Sequence, residues 1–201
     1  MRRLIPAGLR RHLRALRTLA PPSTTAYLRL LARRPSPWRL PPRGPASSVL
    51  FVCHGNVMRS AFAAALWEAR PVRTPDGRAS KALSGGMHTR AGRPAEPQAV
   101  QVASEFAILL AHHRSTPVDA ALIQASELIF AMDLMNAADL MACFPAARNQ
   151  IFLLGALGGG SQVDIPDPYG AELPEVRACF RRIDACVAAV ARHLTAPPQR
   201  T

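Results

Sequence analysis

Apolar residues fall along this chain in short unbroken runs, separated by stretches that repeat at helical spacing. Val49-Leu50-Phe51-Val52 is apolar at every position, the mark of a strand covered on both faces. Glu127–Met132 (ELIFAM) and Ile151–Leu154 (IFLL) read the same way, and Lys81–Ser84, ahead of Gly85-Gly86, is a further strand. Ser60–Arg70 (SAFAAALWEAR) is rich in good helix formers and is closed by Pro71. Residues 95–112 and Leu134–Cys143 read as helices. So does Leu173–Leu194, where Val176, Phe180, Ile183, Val187 and Val190 line up. Strands alternating with helices predict an α/β fold: a four-stranded parallel sheet with helices on both faces, a Rossmann-like three-layer arrangement. Ligands of such sheets sit beyond the carboxyl ends of the strands. Cys53 stands at the end of the first one.

Charge separates the chain into two parts. Residues 1–48 hold eleven arginines, eight prolines and no acidic residue, whereas the rest holds 14 basic and 13 acidic side chains. The net charge of +12 therefore belongs to the first segment and implies no nucleic-acid partner for the domain. Residues 1–47 read as a basic Pro/Arg-rich extension, 48–196 as the folded domain and 197–201 as a tail. Within residues 1–20, Ile5, Leu9, Leu13 and Leu16 share a helical face with arginines around them. That is the pattern of a short helix lying on an anionic membrane. A disordered basic extension, or a start codon assigned too early, fits the prolines equally well. The first residues lack the apolar stretch of a secretory signal, which makes a reducing cytoplasmic setting the default. Four cysteines (53, 143, 179 and 186) form no CxxC pair and no cluster at zinc spacing, so neither a metal nor a cofactor is expected. Cys143, Cys179 and Cys186 read as packing residues.

Cys53-His54-Gly55-Asn56-Val57-Met58-Arg59-Ser60 is a cysteine, five residues, an arginine and a hydroxyl. The spacing alone is weak, since Cys186 to Arg192 repeats it inside the last helix. Context distinguishes the two: at Cys53 a strand stops, Gly55 and Asn56 permit positive φ, and a helix begins near Arg59. A strand–loop–helix of this kind turns its backbone N–H groups around a tetrahedral oxyanion. Arg59 closes the ring with a bidentate contact, and the same donors stabilise a thiolate on Cys53. Ser60 can donate to that sulfur. A proton donor for the leaving oxygen is available in Asp167, held between Pro166 and Pro168 and followed by Tyr169-Gly170.

These residues together resemble the low-molecular-weight protein tyrosine phosphatases of bacteria, over residues 48–195. Cys53–Ser60 is similar to the family's signature loop and Asp167–Gly170 to its general-acid loop. Ser84-Gly85-Gly86, His113-Arg114-Ser115 and Ala131-Met132-Asp133 resemble three further landmarks in the right order. The resemblance implies the phosphotyrosine phosphatase I-like fold and hydrolysis of phosphotyrosine through a cysteinyl-phosphate, without a metal. Cys53 would be the nucleophile, Arg59 the phosphate clamp and Asp167 the general acid and base. His54 (an unusual residue after the nucleophile), Gly55, Asn56, Val57, Met58, Ser60 and Tyr169 would bind the substrate, Arg90 would stand at the pocket wall, and His113 would steady Asn56. The implied partner is a phosphotyrosyl protein, such as a tyrosine kinase of polysaccharide export at the inner membrane.

Several positions depart from the family. Met58 stands where a second, resolving cysteine is usual. Val57 suits a tyrosine phosphatase, whereas the related arginine phosphatases carry Thr there. Arg90, at a wall position usually apolar or aromatic, weakens apolar stacking on a phenyl ring and favours an acidic or flatter partner. Two other readings stay open. A phosphate-binding or adaptor domain without turnover would keep the same loop, and an arsenate reductase would share the fold. The latter needs relay cysteines near the third strand's end, which here reads Ala131-Met132-Asp133-Leu134.

Overall fold

The computed structural model describes residues 39–70, 72–74, 76–158 and 163–196. Strand β1 (Ser48–Cys53) is followed by helix α1 (Arg59–Ala69), β2 (Lys81–Gly86), α2 (Pro97–Ser104) and α3 (Ala120–Gln124). Strand β3 (Leu128–Ala131), α4 (Leu134–Cys143), β4 (Ile151–Leu153) and the long α5 (Leu173–Thr195) complete the order. The four strands form one sheet in the order β2-β1-β3-β4, every pair parallel. The expected α/β architecture is the one found.

Alternation within the apolar runs decides which helix covers which face. Val49 and Phe51 of β1, with Phe130 and Phe152, point to the side packed by α1, α2 and α5. Leu50 and Val52, with Ile129, Ile151 and Leu153, point to the side packed by α3 and α4. Register places Phe51 against Phe130 and Phe130 against Phe152, so three rings run across the sheet at centroid separations of 5.7 and 6.1 Å. On that face Phe62 of α1 stacks on Phe180 of α5 at 4.0 Å.

The main departure from the sequence reading lies in residues 95–112, where the helix spans only Pro97–Ser104. Beyond it Phe106, Ile108 and Leu110 turn inward while Ala107 and Leu109 face solvent, Leu109 at 84% exposure. Those residues repeat every two positions rather than every 3.6, so burying them requires extended chain. Ala107, at φ 59, makes the break. Helix α3 is an addition, started by the Asp119 carboxylate accepting from Leu122 N at 2.8 Å. Cys143 is exposed, not packed as expected, because it closes α4 on its outer side; Cys179 and Cys186 are buried.

Residues 1–38 and 197–201 lie outside the described residues, and with them the N-terminal amphipathic pattern. Residues 39–47, counted with the extension, rest on the domain: Pro41 and Ala46 are buried, and His193 Nε2 donates to the Pro41 carbonyl at 2.8 Å. No helix among the described residues is long and apolar enough to cross a membrane.

The Phe62–Phe180 stack ties the first helix to the last. Phe180→Ala should lower the unfolding free energy by about 3–5 kcal/mol, read as a shift in the urea midpoint. A cost below about 1 kcal/mol would mean that this contact is not a principal tie.

Candidate active site

The chain leaves the sheet at Cys53, turns through residues 54–58 and enters α1 at Arg59. Asn56 makes the turn in the left-handed region, at φ 51, and is fully buried. Gly55 is not among the positive-φ residues. Four backbone carbonyls of this turn are directed outward and occupied. Met87 N donates to Cys53 O at 3.0 Å, His88 N to His54 O at 2.8 Å and Glu96 N to Val57 O at 3.0 Å. His113 Nε2 donates to Asn56 O at 2.6 Å. With the carbonyls held on the outside, the amides fall inside: Asn56 N donates to Cys53 Sγ at 3.2 Å. The first amides of α1 add a helix N-terminus to the same enclosure.

Asn56 works through its side chain as well. Nδ2 donates to Ser60 Oγ at 2.8 Å, and Oδ1 accepts from Thr116 N at 2.8 Å. Ser60 Oγ lies 3.0 Å from Cys53 Sγ and 3.2 Å from Gly85 O. Because Asn56 occupies the hydroxyl as a donor, the hydroxyl hydrogen is free to point at the sulfur or at Gly85 O. Gly86 explains how strand and loop come so close: a Cβ there would stand 2.9 Å from Gly55 C and 3.0 Å from Asn56 N. Only glycine fits.

Arg59 is 1% exposed. Its Nη1 donates to Asp133 Oδ2 at 2.8 Å and to Ile165 O at 2.9 Å, and its Nη2 donates to Asp167 Oδ2 at 2.5 Å. Burial by itself disfavours the cation, but the pull of Cys53, Asp167 and Asp133 outweighs it and raises the pKa. Nε is buried and has no partner among the described residues. A buried donor in that condition is costly, and an oxyanion in the loop would satisfy it alongside Nη2. The segment carrying Asp167 is fastened to the sheet end by Ile165 N to Met132 O at 2.8 Å and by Asp164 Oδ1, which accepts from Leu134 N at 2.9 Å.

Cys53, Gly55, Val57, Met58 and Arg59 line a pocket of about 300 Å³ with His54 at its rim. His88 and Arg93 join it from the segment after β2, and Asp167 and Tyr169 from the segment before α5. Most of the expected residues therefore meet in one place. Asn56, Ser60 and His113 meet it from behind, as buried supports rather than lining. Arg90 does not line this pocket. The chain turns at residues 91–92, Gly92 at φ 85, so that Arg90 points away and Arg93 comes round to the wall. His88, Arg93 and the second carboxylate on Arg59, Asp133, were not assigned a role at the site from sequence. Arg93 lies three positions from the residue chosen; Asp133 stood in the Ala131-Met132-Asp133 landmark, and for His88 only the folded chain supplies the signal.

A family model described as low molecular weight phosphotyrosine protein phosphatase matches residues 48–199. The chain is 32% identical over 127 residues to a probable low molecular weight protein-tyrosine-phosphatase, EpsP, of Ralstonia nicotianae, covering 63% of this chain and 81% of that one. It is 30% identical over 125 residues to a protein-arginine-phosphatase of Bacillus subtilis, covering 62% and 81%. The crystal structure of the Erwinia amylovora tyrosine phosphatase amsI superposes with a TM-score of 0.67 at 25% identity, covering 76% of this chain and 95% of that one.

His113 gives the loop a pH dependence. Burial is the largest influence and pushes its pKa below the usual 6.5; the bond to Asn56 O opposes this and Arg114 reinforces it. The unfolded chain thus takes up a proton that the folded one resists. Stability from this group is complete above pH 6.5 and is lost as pH falls. Denaturant titrations between pH 7.5 and about 5 should show the parent losing more stability than His113→Gln, whose amide can donate to Asn56 O without titrating. Parallel curves would remove His113 as the cause.

Proposed function

The chain belongs to the low molecular weight phosphotyrosine protein phosphatase family, whose members are hydrolases, and from that membership we propose that it hydrolyses phosphotyrosine through a cysteinyl-phosphate on Cys53. One observation carries this reading: the Cys53 sulfur, the Asn56 amide, the Ser60 hydroxyl and the Arg59–Asp167 pair converge at a single pocket. An entering phosphate takes Nη2 and Nε of Arg59 and releases the Asp167 carboxylate, which takes up through solvent the proton given up by the Cys53 thiol and turns toward the leaving oxygen. Cys53 Sγ attacks phosphorus, the S–P bond forms as the P–O bond to the phenolate breaks, and Asp167 gives its proton to that oxygen. Asp167, now a carboxylate, takes a proton from water. The water oxygen bonds to phosphorus, the S–P bond breaks, and the sulfur leaves as a thiolate that Ser60 Oγ and Asn56 N stabilise. Inward amides and a guanidinium held before substrate arrives lower the barrier by fixing charge where it develops.

Val57 favours tyrosine over arginine as the phosphorylated residue. It is buried and lines the pocket, offering an aryl ring an apolar wall and offering a guanidinium no hydroxyl. Turnover of p-nitrophenyl phosphate should be abolished in Cys53→Ser and reduced about 10²- to 10⁴-fold in Asp167→Asn. A phosphotyrosyl peptide should be a better substrate than a phosphoarginyl one. Wild-type turnover by Cys53→Ser would overturn the mechanism, no turnover by the folded parent would return the adaptor reading, and preference for phosphoarginine would overturn the substrate.

The proposed phosphoprotein is a bacterial tyrosine kinase of polysaccharide export. The eleven arginines of residues 1–48 support peripheral attachment through residues 1–20 to an anionic inner membrane, on its cytoplasmic side. Deleting residues 1–38, which spares the packed Pro41 and Ala46, should lower partition onto anionic vesicles at low salt. Unchanged partition would end this part of the reading.

A further inference from the structure

The pocket over Cys53 continues sideways. His88 and Arg93 line both that pocket and an adjoining open groove of about 700 Å³, whose other lining residues are Met87, Thr89 and Arg90. No acidic side chain lines the groove. Its two arginines are free or lightly held, and its histidine is fixed. Arg90 is exposed, and its guanidinium has no hydrogen bond among the described residues. Arg93 has only a 3.4 Å contact to Glu96 Oε1. His88 is fixed on two sides: Nε2 lies 2.8 Å from the buried Asp139 carboxylate of α4, and its ring packs on His54 at 4.7 Å.

The backbone beneath these side chains is equally well held. Buried Ser115 receives Arg93 N at 3.0 Å on its Oγ and donates from it to Arg90 O at 2.7 Å. Ser115 N donates to Arg93 O, and Gly92 N to Ser115 O, both at 2.8 Å. One serine therefore fixes the spacing of the two arginines. A tight turn braced in this way presents two guanidinium groups and a carboxylate-backed imidazole along a groove that opens from the phosphate pocket. Gathering like charges on one surface is unfavourable until an opposite charge arrives.

We infer that this groove binds the substrate chain flanking the phosphotyrosine, and that it selects acidic side chains there. The inference rests on the phosphatase reading above and adds the substrate class. An extended peptide advances roughly 3.3 Å per residue, so a carboxylate within about three residues of the phosphotyrosine reaches Arg93 and then Arg90. Arg90 thus acts on an acidic partner, as its charge suggested, but from beside the phosphate pocket rather than within its wall.

The test compares phosphotyrosyl peptides whose neighbours are Asp and Glu, Ser and Ala, or Lys and Arg, with p-nitrophenyl phosphate as a substrate that has no flanking chain. At low salt kcat/KM should favour the acidic peptide over the neutral one by about ten-fold, the size expected of two exposed charge contacts. The ratio should shrink as salt rises. Arg90→Glu should collapse it and turn preference toward the basic peptide, an inversion that a merely structural role for Arg90 does not produce. Equal kcat/KM for the three peptides, with p-nitrophenyl phosphate turned over, would overturn the groove and leave the phosphatase standing. If p-nitrophenyl phosphate is not turned over, the phosphatase reading fails. Calorimetric binding of the same peptides to Cys53→Ser then decides the groove: tighter binding of the acidic peptide upholds it, and equal affinities overturn it. A peptide with a second phosphotyrosine in place of Asp and Glu separates the two anion sources. A gain from that phosphate with none from carboxylates would overturn the assignment to acidic side chains.

Discussion

A guanidinium with 1% of its surface exposed is tolerable only if the protein supplies what water would have given it. For Arg59 the supply comes from three places in the chain: Asp133 at the end of β3, the Ile165 carbonyl and the Asp167 carboxylate. Removing a partner from a buried ion pair costs about 3–5 kcal/mol. That penalty gives the position of residues 164–167 a cause, because this segment is where it must be for Arg59 to stay charged and buried. The requirement spreads outward. Asp133 also caps α4 through Asn136 N at 2.7 Å, so the helix on one face of the sheet and the cation at the end of the sheet share one carboxylate.

The loop around Cys53 follows a second constraint of the same kind. A chain that turns its amides inward must find donors for its carbonyls outside, and here they come from Met87, His88, Glu96 and His113. Three separate segments therefore clasp the loop from behind. Asn56 offsets its left-handed backbone, about 1–2 kcal/mol, with two buried side-chain bonds, to Ser60 Oγ and from Thr116 N. The result is a loop whose inward donors are in place before any ligand enters, which is the condition for electrostatic stabilisation without reorganisation.

Much of this was legible in the sequence because parallel strands buried on both faces leave unbroken apolar runs. Val49–Val52 and Ile151–Leu154 could be placed without knowing their neighbours. Cys53 and Arg59 were legible for a different reason, the strand–loop–helix context around their spacing, and Asp167, in what alone is an ordinary turn, through its pairing with that loop. The segment after Ser104 was not legible, since apolar residues there fit a helix as well as an extended chain until one sees which of them face the core. The pocket wall was missed by three residues because the turn at Gly92 decides whether Arg90 or Arg93 faces Cys53, and that turn is braced by Ser115, over twenty positions away. His88 drew no attention for the same reason. Its partner Asp139 lies on a helix across the sheet end, 51 residues further on.

The placement of the other thiols bears on what oxidation does to Cys53. Met58 stands beside Arg59 where a resolving cysteine is usual, and a thioether cannot form a disulfide. Cys179 lies beneath the segment carrying Asp167, its Sγ 3.6 Å from Pro166 O, and burial pushes its pKa up to about 12. At neutral pH it is a thiol, and the attack that resolves a sulfenic acid requires a thiolate. Cys143 is exposed on the far end of α4, and burial raises the pKa of Cys186 as well. Chemical rescue is therefore not built into the site. Cys53 itself is 3% exposed, with the Asn56 amide on its sulfur and the Arg59–Asp167 pair at the same pocket.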